Sequence, residues 1–192
     1  NNKNKSVCES PDTNTICLLS PTSSLEKRNS RWAVKIEKNG LPNLHKITDT
    51  LYRGAQPTAE GMQELKNMGI KTVINLRVFH SDRDEIDTTG LAYEHIYFNS
   101  FNAEDKEIIR FLQIVNDKSR HPIFFHCQHG ADRTGTMSAI YRIFMQGWSK
   151  EDAIEEMVNG GYGHHKIFKN LRNYIKKLDI EKIRKAAGFD TK

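Results

Sequence analysis

The sequence predicts an α/β domain: a three-layer sandwich in which a central, mostly parallel sheet is flanked by helices. Three observations predict it. Short apolar runs of strand length alternate along the chain with segments of helical period, the order that builds parallel sheets with crossover helices. One run, Pro122-Ile123-Phe124-Phe125, is apolar at every position, as a strand buried on both faces must be. The stretch that follows, His126 to Thr134, passes through Gly130 directly into a helical segment.

Residues 1–30 are rich in Asn, Ser, Thr and Pro with little apolar periodicity, and read as a polar extension ahead of one domain spanning 31–185. Trp32, Val34 and Ile36 alternate as a strand with one buried face would. After the Gly40-Leu41-Pro42 break, Leu44 to Ile47 and Thr50 to Arg53 read as two short strands around Thr48-Asp49. Thr58 is placed to cap a helix carrying Met62, Leu65 and Met68 and ending at Gly69. Lys71 to Leu76 holds the buried-strand run Thr72-Val73-Ile74. Ser81, with Asp84 three positions on, reads as a capping box for a short helix before Gly90. Leu91 to Phe98 reads as a strand, and Asn102 as the cap of a helix with the stripe Ile108, Ile109, Leu112 and Val115. Beyond residues 122–125, a helix from near Thr134 carries Met137, Ile140, Tyr141 and Phe144 and stops at Gly147. Ser149 caps a helix with Ala153, Ile154, Met157 and Val158, and a last helix carries Ile167, Phe168, Leu171, Tyr174, Ile175 and Leu178.

At 192 residues, 37% hydrophobic and 28% charged, the chain is long enough for one domain with a substantial core. No apolar run approaches the ~20 residues of a membrane span. The net charge of +5 favours anionic partners, phosphorylated ligands among them. No nucleic-acid motif is present, so nucleic acid is not an expected partner.

A strand, a glycine-containing loop and a helix start together build a cradle of backbone N–H groups at a helix N-terminus, which attracts anions. Cys127 sits at its entrance and Arg133 at its far end, with five residues between them. A thiol is a good nucleophile only as thiolate, and a helix N-terminus beside a guanidinium favours that form. Arg133 offers a planar fork matching two phosphate oxygens. Thr134 places a hydroxyl where it can bond the thiolate or assist its departure. Gln128, His129, Gly130, Ala131 and Asp132, with Arg133 and Thr134, form the expected substrate-binding set. A merely buried Cys127 would leave the flanking His, Gly, Arg and Thr unexplained. A zinc site from Cys127, His126, His129, His164 and His165 lacks a second Cys at ligand spacing, so no metal is expected.

The run His126-Cys127, five residues, then Arg133-Thr134 resembles the active-site loop of the cysteine-dependent protein tyrosine and dual-specificity phosphatases. Trp32, Leu51-Tyr52-Arg53, Tyr141-Arg142, Gln146-Gly147-Trp148 and Gly160-Gly161-Tyr162-Gly163 are similar to exported bacterial phosphatases of the TpbA type, over roughly residues 31–178. The resemblance implies a dual-specificity phosphatase-like fold and a phosphomonoesterase without metal or cofactor. It implies that Cys127 attacks phosphorus to form a phosphocysteine while Arg133 holds the equatorial oxygens. The expected substrate is a phosphotyrosine-containing protein or a small phosphomonoester. An Asp on a separate loop would protonate the leaving oxygen.

In this chain that loop is Asn99 to Asp105, and Ser100 stands where the resemblance places the acid. Asp105 is the first candidate for the acid, Glu104 the second and Asp132 the third. Asp105 is equally well placed to stabilise the first turn of a helix. A carboxylate at Asp132 must point away from phosphate, pair with a cation or carry a proton. An Asp-Arg pair at this place resembles some phosphoinositide and inositol-phosphate phosphatases, which makes such an enzyme the alternative reading. A phosphate-binding module, an arsenate reductase and a sulfurtransferase are further alternatives. His126 is expected to fix the loop, His129 to face substrate or solvent, and His164-His165 to lie at the rim. Arg53 and Arg77 follow strand ends and are candidates for holding a second phosphate. The chain begins at Asn1 without Met and reads as a processed form or a piece. The resemblance implies a protein exported to the periplasm or secreted, the cytoplasm being the alternative, and a monomer is expected. Cys8 and Cys17 can pair in an oxidising compartment or stay free.

Overall fold

The computed structural model describes residues 28–189, so Cys8, Cys17 and residues 1–27 lie outside the described part. Six strands form one sheet: β1 (Val34–Lys35), β2 (His45–Thr48), β3 (Leu51–Gly54), β4 (Thr72–Asn75), β5 (Ala92–His95) and β6 (Ile123–His126). Their order across the sheet is β1-β2-β3-β6-β4-β5. β3, β6, β4 and β5 run parallel, while β1 and β2 extend the edge antiparallel. This is the sandwich that the alternation of elements predicts.

The two faces of the sheet follow from strand parity. Leu51, Ile74, Ile123 and Phe125 face one layer, built by α3 (Asp105–Asn116), α4 (Asp132–Gln146), α5 (Lys150–Asn159), α6 (Lys169–Lys177) and α7 (Ile180–Ala186). Val73 and Phe124 face the other, with Met62 and Leu65 of α1 (Ala59–Asn67) and Ile86 of α2 (Arg83–Ile86). Each fully buried Phe contributes about 3 kcal/mol on transfer from water. The same alternation, carried past the end of β6, sends the two residues of the motif to opposite sides. Cys127 joins the α3/α4 core, and the His126 ring stacks beside Phe124 at 5.7 Å on the α1/α2 side.

Thr58 caps α1 by accepting from Gly61 N–H, Ser149 caps α5 through Asp152 N–H, and Gly147 ends α4 at φ 69°. Four expectations are corrected. Both residues of the first strand are exposed, Val34 at 59%; the buried residue is Ala33 just before it, whose N–H donates to Glu156. Ser81 starts no capping box: Asp82 is the N-cap of α2 and turns its carboxylate elsewhere. Helix α3 is capped not by Asn102 but by a reciprocal pair, Glu104 and Glu107. Ile167 and Phe168 precede α6 instead of belonging to it, and α7, unforeseen in the sequence, follows with Asp179 as its cap.

A buried network ties α4 and α5 to the segment before β1 and to Tyr162. Arg142 on α4 donates from Nε and Nη2 to the two carboxylate oxygens of Glu156 on α5, at 2.6 and 2.8 Å, with both side chains 3% exposed. Trp148 lies over the Arg142 guanidinium at 4.4 Å. Glu156 also accepts from Ala33 N–H and the Tyr162 hydroxyl. Arg28 donates to the carbonyls of Ala33 and Gly160.

Candidate active site

Parallel strands β3, β4 and β6 end together, with Gly54 and Asn75 both opposite His126. Ligand sites in such sheets lie beyond the carboxyl ends of the strands. There the chain leaves β6 at Cys127 and turns through Gly130 into α4. The loop is held from behind by its carbonyls. Gln128 C=O accepts from Gln56 N–H, His129 C=O from Asn43 Nδ2, and Gly130 C=O from Arg53 Nη2 at 2.6 Å. With the carbonyls turned outward, the N–H groups of residues 128–133 donate to no acceptor among the described residues. They form an amide nest at a helix N-terminus. Gly130 has φ 67°, and a Cβ there would lie 2.5 Å from Gly54 carbonyl carbon. Only glycine fits this turn without a backbone shift.

Over the loop opens a cavity of about 290 Å³ lined by Ser100, Cys127, Gln128, His129, Asp132, Arg133, His165, Ile167 and Phe168. Cys127 is 3% exposed and unpaired. Arg133 donates weakly to Leu76 C=O at 3.5 Å and stays at the cavity wall. Thr134 Oγ1 is buried without a partner among the described residues, as a hydroxyl reserved for the sulfur would be. Thus the structure brings Cys127, Gln128, His129, Asp132 and Arg133 to one cavity, with Gly130, Ala131 and Thr134 in the loop behind them.

Asp105 is not brought there. It opens α3 and faces α6 and α7, accepting from Tyr174 Oη at 2.9 Å and from Lys182 Nζ at 2.7 Å. The Lys182 ammonium holds its carboxyl below the usual range against the opposing effect of burial, with Tyr174 adding to the hold. Its position answers to the helix start and the ion pair, not to the cavity. Glu104 caps the same helix and pairs with Lys106. Ser100 does line the cavity.

Asp132 stands in the first turn of α4 at the cavity wall. Its Oδ1 accepts from His165 N–H at 2.9 Å and its Oδ2 from His165 Nδ1 at 2.6 Å. His164 Nδ1 lies 2.9 Å from Oδ1, at an angle outside hydrogen-bond geometry. Burial pushes this carboxyl up, but the two histidines outweigh it and leave it below its ordinary value. The carboxylate is therefore ionised and paired with the two histidines. His165 reaches the rim as expected, while the His164 side chain is buried behind it.

Sequence reading missed the support behind His126. Its Nε2 lies 2.7 Å from Asp82 Oδ2, both side chains fully buried, and Gln56 Nε2 donates to Asp82 Oδ1 at 2.7 Å. Burial pushes the Asp82 carboxyl up, and the bonds from His126 and Gln56 bring it below its ordinary value. His80, Asp82 and Glu85 are the one group of three that could hold a metal ion among the described residues. Neither basic candidate for a second phosphate is free. Arg53 is fully buried, holds Gly130 C=O and lies 3.9 Å from the Tyr162 ring. Burial lowers its pKa to about 10, so it remains a cation under the loop. Arg77 donates to Gln56 Oε1 and does not line the cavity.

The family model described as "DSP-PTPase phosphatase fused to NAD+ Kinase" matches residues 32–171. The dual specificity protein phosphatase TpbA of Pseudomonas aeruginosa is 31% identical over 160 residues, 83% of this chain and 72% of the relative. The inositol diphosphatase DSP5 of Arabidopsis thaliana is 28% identical over 129 residues, 60% of each chain. The crystal structure of a Cys-to-Ser variant of P. aeruginosa TpbA in complex with pTyr superposes with a TM-score of 0.75 at 29% identity, covering 85% of this chain and 99% of that one. The catalytic domain of the PP-IP phosphatase SIW14 from S. cerevisiae shares the fold, with a TM-score of 0.65 at 20% identity and coverage of 77% and 92%. With a cysteine at the floor of an amide nest, an arginine at its end and these relatives, the chain belongs to the dual-specificity and tyrosine phosphatase family of cysteine-dependent phosphatases.

Proposed function

We propose that the protein hydrolyses phosphotyrosine through a phosphocysteine on Cys127, without a metal. The observation that carries this reading is the shared cavity of Cys127 and Arg133 over free loop amides. The Cys127 thiolate attacks phosphorus, and the P–S bond forms as the bond to the leaving oxygen breaks. The amides and Arg133 neutralise the equatorial oxygens, an effect that amounts to about 3–4 kcal/mol per well-placed donor in comparable anion holes. Water then attacks the phosphocysteine, and Thr134 Oγ1 is placed to bond the departing sulfur.

The rim favours an aryl group. Ile167 and Phe101 are 75% and 73% exposed, and the Phe101 ring packs 5.4 Å from that of Phe168, which lines the cavity. Such a wall suits the flat face of a tyrosyl ring. The TpbA complex with pTyr supports the same substrate. A bacterial, periplasmic or secreted monomer, with residues 31–185 as its catalytic domain, is the accompanying proposal; no described helix is long and apolar enough to cross a membrane. An inositol-phosphate substrate is the second reading, favoured by the similarity to the inositol diphosphatase DSP5 and the net charge of +5. Among the described residues Arg133 is the one Lys or Arg lining the cavity, fewer cations than a multiply phosphorylated ring demands.

The test is phosphate release from phosphotyrosyl peptides and from soluble inositol phosphates, with vanadate as competitor and EDTA present. Cys127→Ser is expected to abolish turnover while retaining phosphate binding. Turnover by Cys127→Ser, or loss of activity in EDTA, refutes the mechanism. Faster release from inositol phosphates than from peptides selects the second reading.

A further inference from the structure

We propose that His165, held by Asp132, is the proton donor to the leaving oxygen, in place of a carboxylic acid from the Asn99–Asp105 loop. The inference rests on the phosphocysteine reading and adds to it the residue that reading lacks. Breaking the bond to a tyrosyl oxygen leaves a phenolate whose conjugate acid has a pKa of about 10, so a donor in the cavity matters. The loop expected to supply one does not: Ser100 lines the cavity and carries no titratable proton, while Asp105 is turned to Tyr174 and Lys182. The one carboxylate lining the cavity among the described residues, Asp132, has both oxygens engaged by His165.

His165 itself meets the geometric requirements. It lines the same cavity as Cys127 and Arg133, and its side chain is half exposed. Nδ1 is fixed on Asp132 Oδ2 at 2.6 Å, and its own backbone N–H is fixed on Oδ1, so one carboxylate clamps both ring and chain. This leaves Nε2, on the other side of the ring, as the free donor. Phe168 meets the ring edge-on at 6.3 Å and His129 lies 5.7 Å away. The titratable and charged groups around it are Asp132 from α4, His164 on its own loop, His129 from the phosphate loop, and Cys127 and Arg133 across the cavity. The Asp132 carboxylate orients the ring, as the third group does in other nucleophile sites.

The step balances. The Cys127 thiolate donates its electron pair to phosphorus, the P–O bond breaks with its pair on the leaving oxygen, and that oxygen takes the Nε2 proton of the His165 imidazolium. In the second half, neutral His165 accepts a proton from the attacking water, and the P–S bond breaks with its pair returning to sulfur. The enzyme ends with thiolate and imidazolium restored.

The experiment compares kcat/KM, which reports steps up to phosphocysteine formation, for phenyl phosphate and 2,4-dinitrophenyl phosphate, whose activated leaving group needs no proton. His165→Gln is expected to cost about 100-fold more on the phenyl ester than on the dinitrophenyl ester. The wild type is expected to show an alkaline fall of kcat/KM on the phenyl ester, and His165→Gln to remove it. Equal losses on both substrates would mean a structural role only and overturn the proposal, as would a selective loss in Asp105→Asn instead. Turnover in Cys127→Ser defeats the underlying phosphocysteine reading. A phosphoenzyme trapped from the dinitrophenyl ester keeps that reading alive even where the His165 assignment fails.

Discussion

Replacing Glu156 by Gln tests whether the network behind the phosphate loop holds the domain together. Glu156 accepts four donors: Arg142 Nε and Nη2, Ala33 N–H and the Tyr162 hydroxyl. Gln has one acceptor oxygen and turns an NH₂ toward the remaining donors, and it leaves the Arg142 guanidinium buried without a countercharge. Breaking a buried pair from one side costs about 3–5 kcal/mol, a large part of the roughly 5–15 kcal/mol that stabilises a domain. For a domain of this length, about 2–4 °C per kcal/mol gives a fall in Tm of roughly 6–20 °C by circular dichroism. The pH dependence has a definite sign. Burial raises the Glu156 carboxyl, but Arg142, the Ala33 amide and Tyr162 outweigh it, leaving the folded-state pKa below the ordinary 4.5. A depressed folded pKa stabilises above the unfolded value and loses that contribution as pH falls through the folded one. The Tm gap between wild type and Glu156→Gln is therefore full at pH 7 and closes below about pH 4.5. A gap under about 2 °C at pH 7, or one that widens in acid, refutes the reasoning.

Two further substitutions probe the loop from different sides. Gly130→Ala demands a left-handed backbone and sets a Cβ 2.5 Å from Gly54. It is expected to weaken vanadate inhibition by at least about 100-fold, close to 3 kcal/mol, while far-UV circular dichroism stays native; an unchanged inhibition constant refutes the nest. Asp82→Asn cannot accept from both His126 Nε2 and Gln56 Nε2, so one buried donor faces an NH₂. A loss of about 1.5–3 kcal/mol of stability in urea unfolding is expected, with a lower kcat/KM on phosphotyrosyl peptide. Wild-type stability would show that Asp82 does not support His126.

The sequence by itself determined much of what depends on neighbours along the chain, though not the caps of α2 and α3. Cys127, Gly130 and Arg133 fall within one loop, so their spacing alone dictates a nest, a nucleophile and an anion holder. The unbroken apolar run through residues 122–125 dictates a buried strand, and Thr58, Ser149 and Gly147 dictate helix ends through neighbours a few residues away. The legible part of the site was thus its floor. Its walls were decided by tertiary structure. Asp82 meets His126 across 44 residues, Arg53 meets Gly130 across 77, and His165 meets Asp132 across 33. No local rule encodes such partners, since a buried donor needs only some acceptor and the fold selects which. Asp105 shows the converse. Its place in the chain suited an acid, yet Tyr174 and Lys182, brought over by α6 and α7, give its carboxylate better partners than the cavity does.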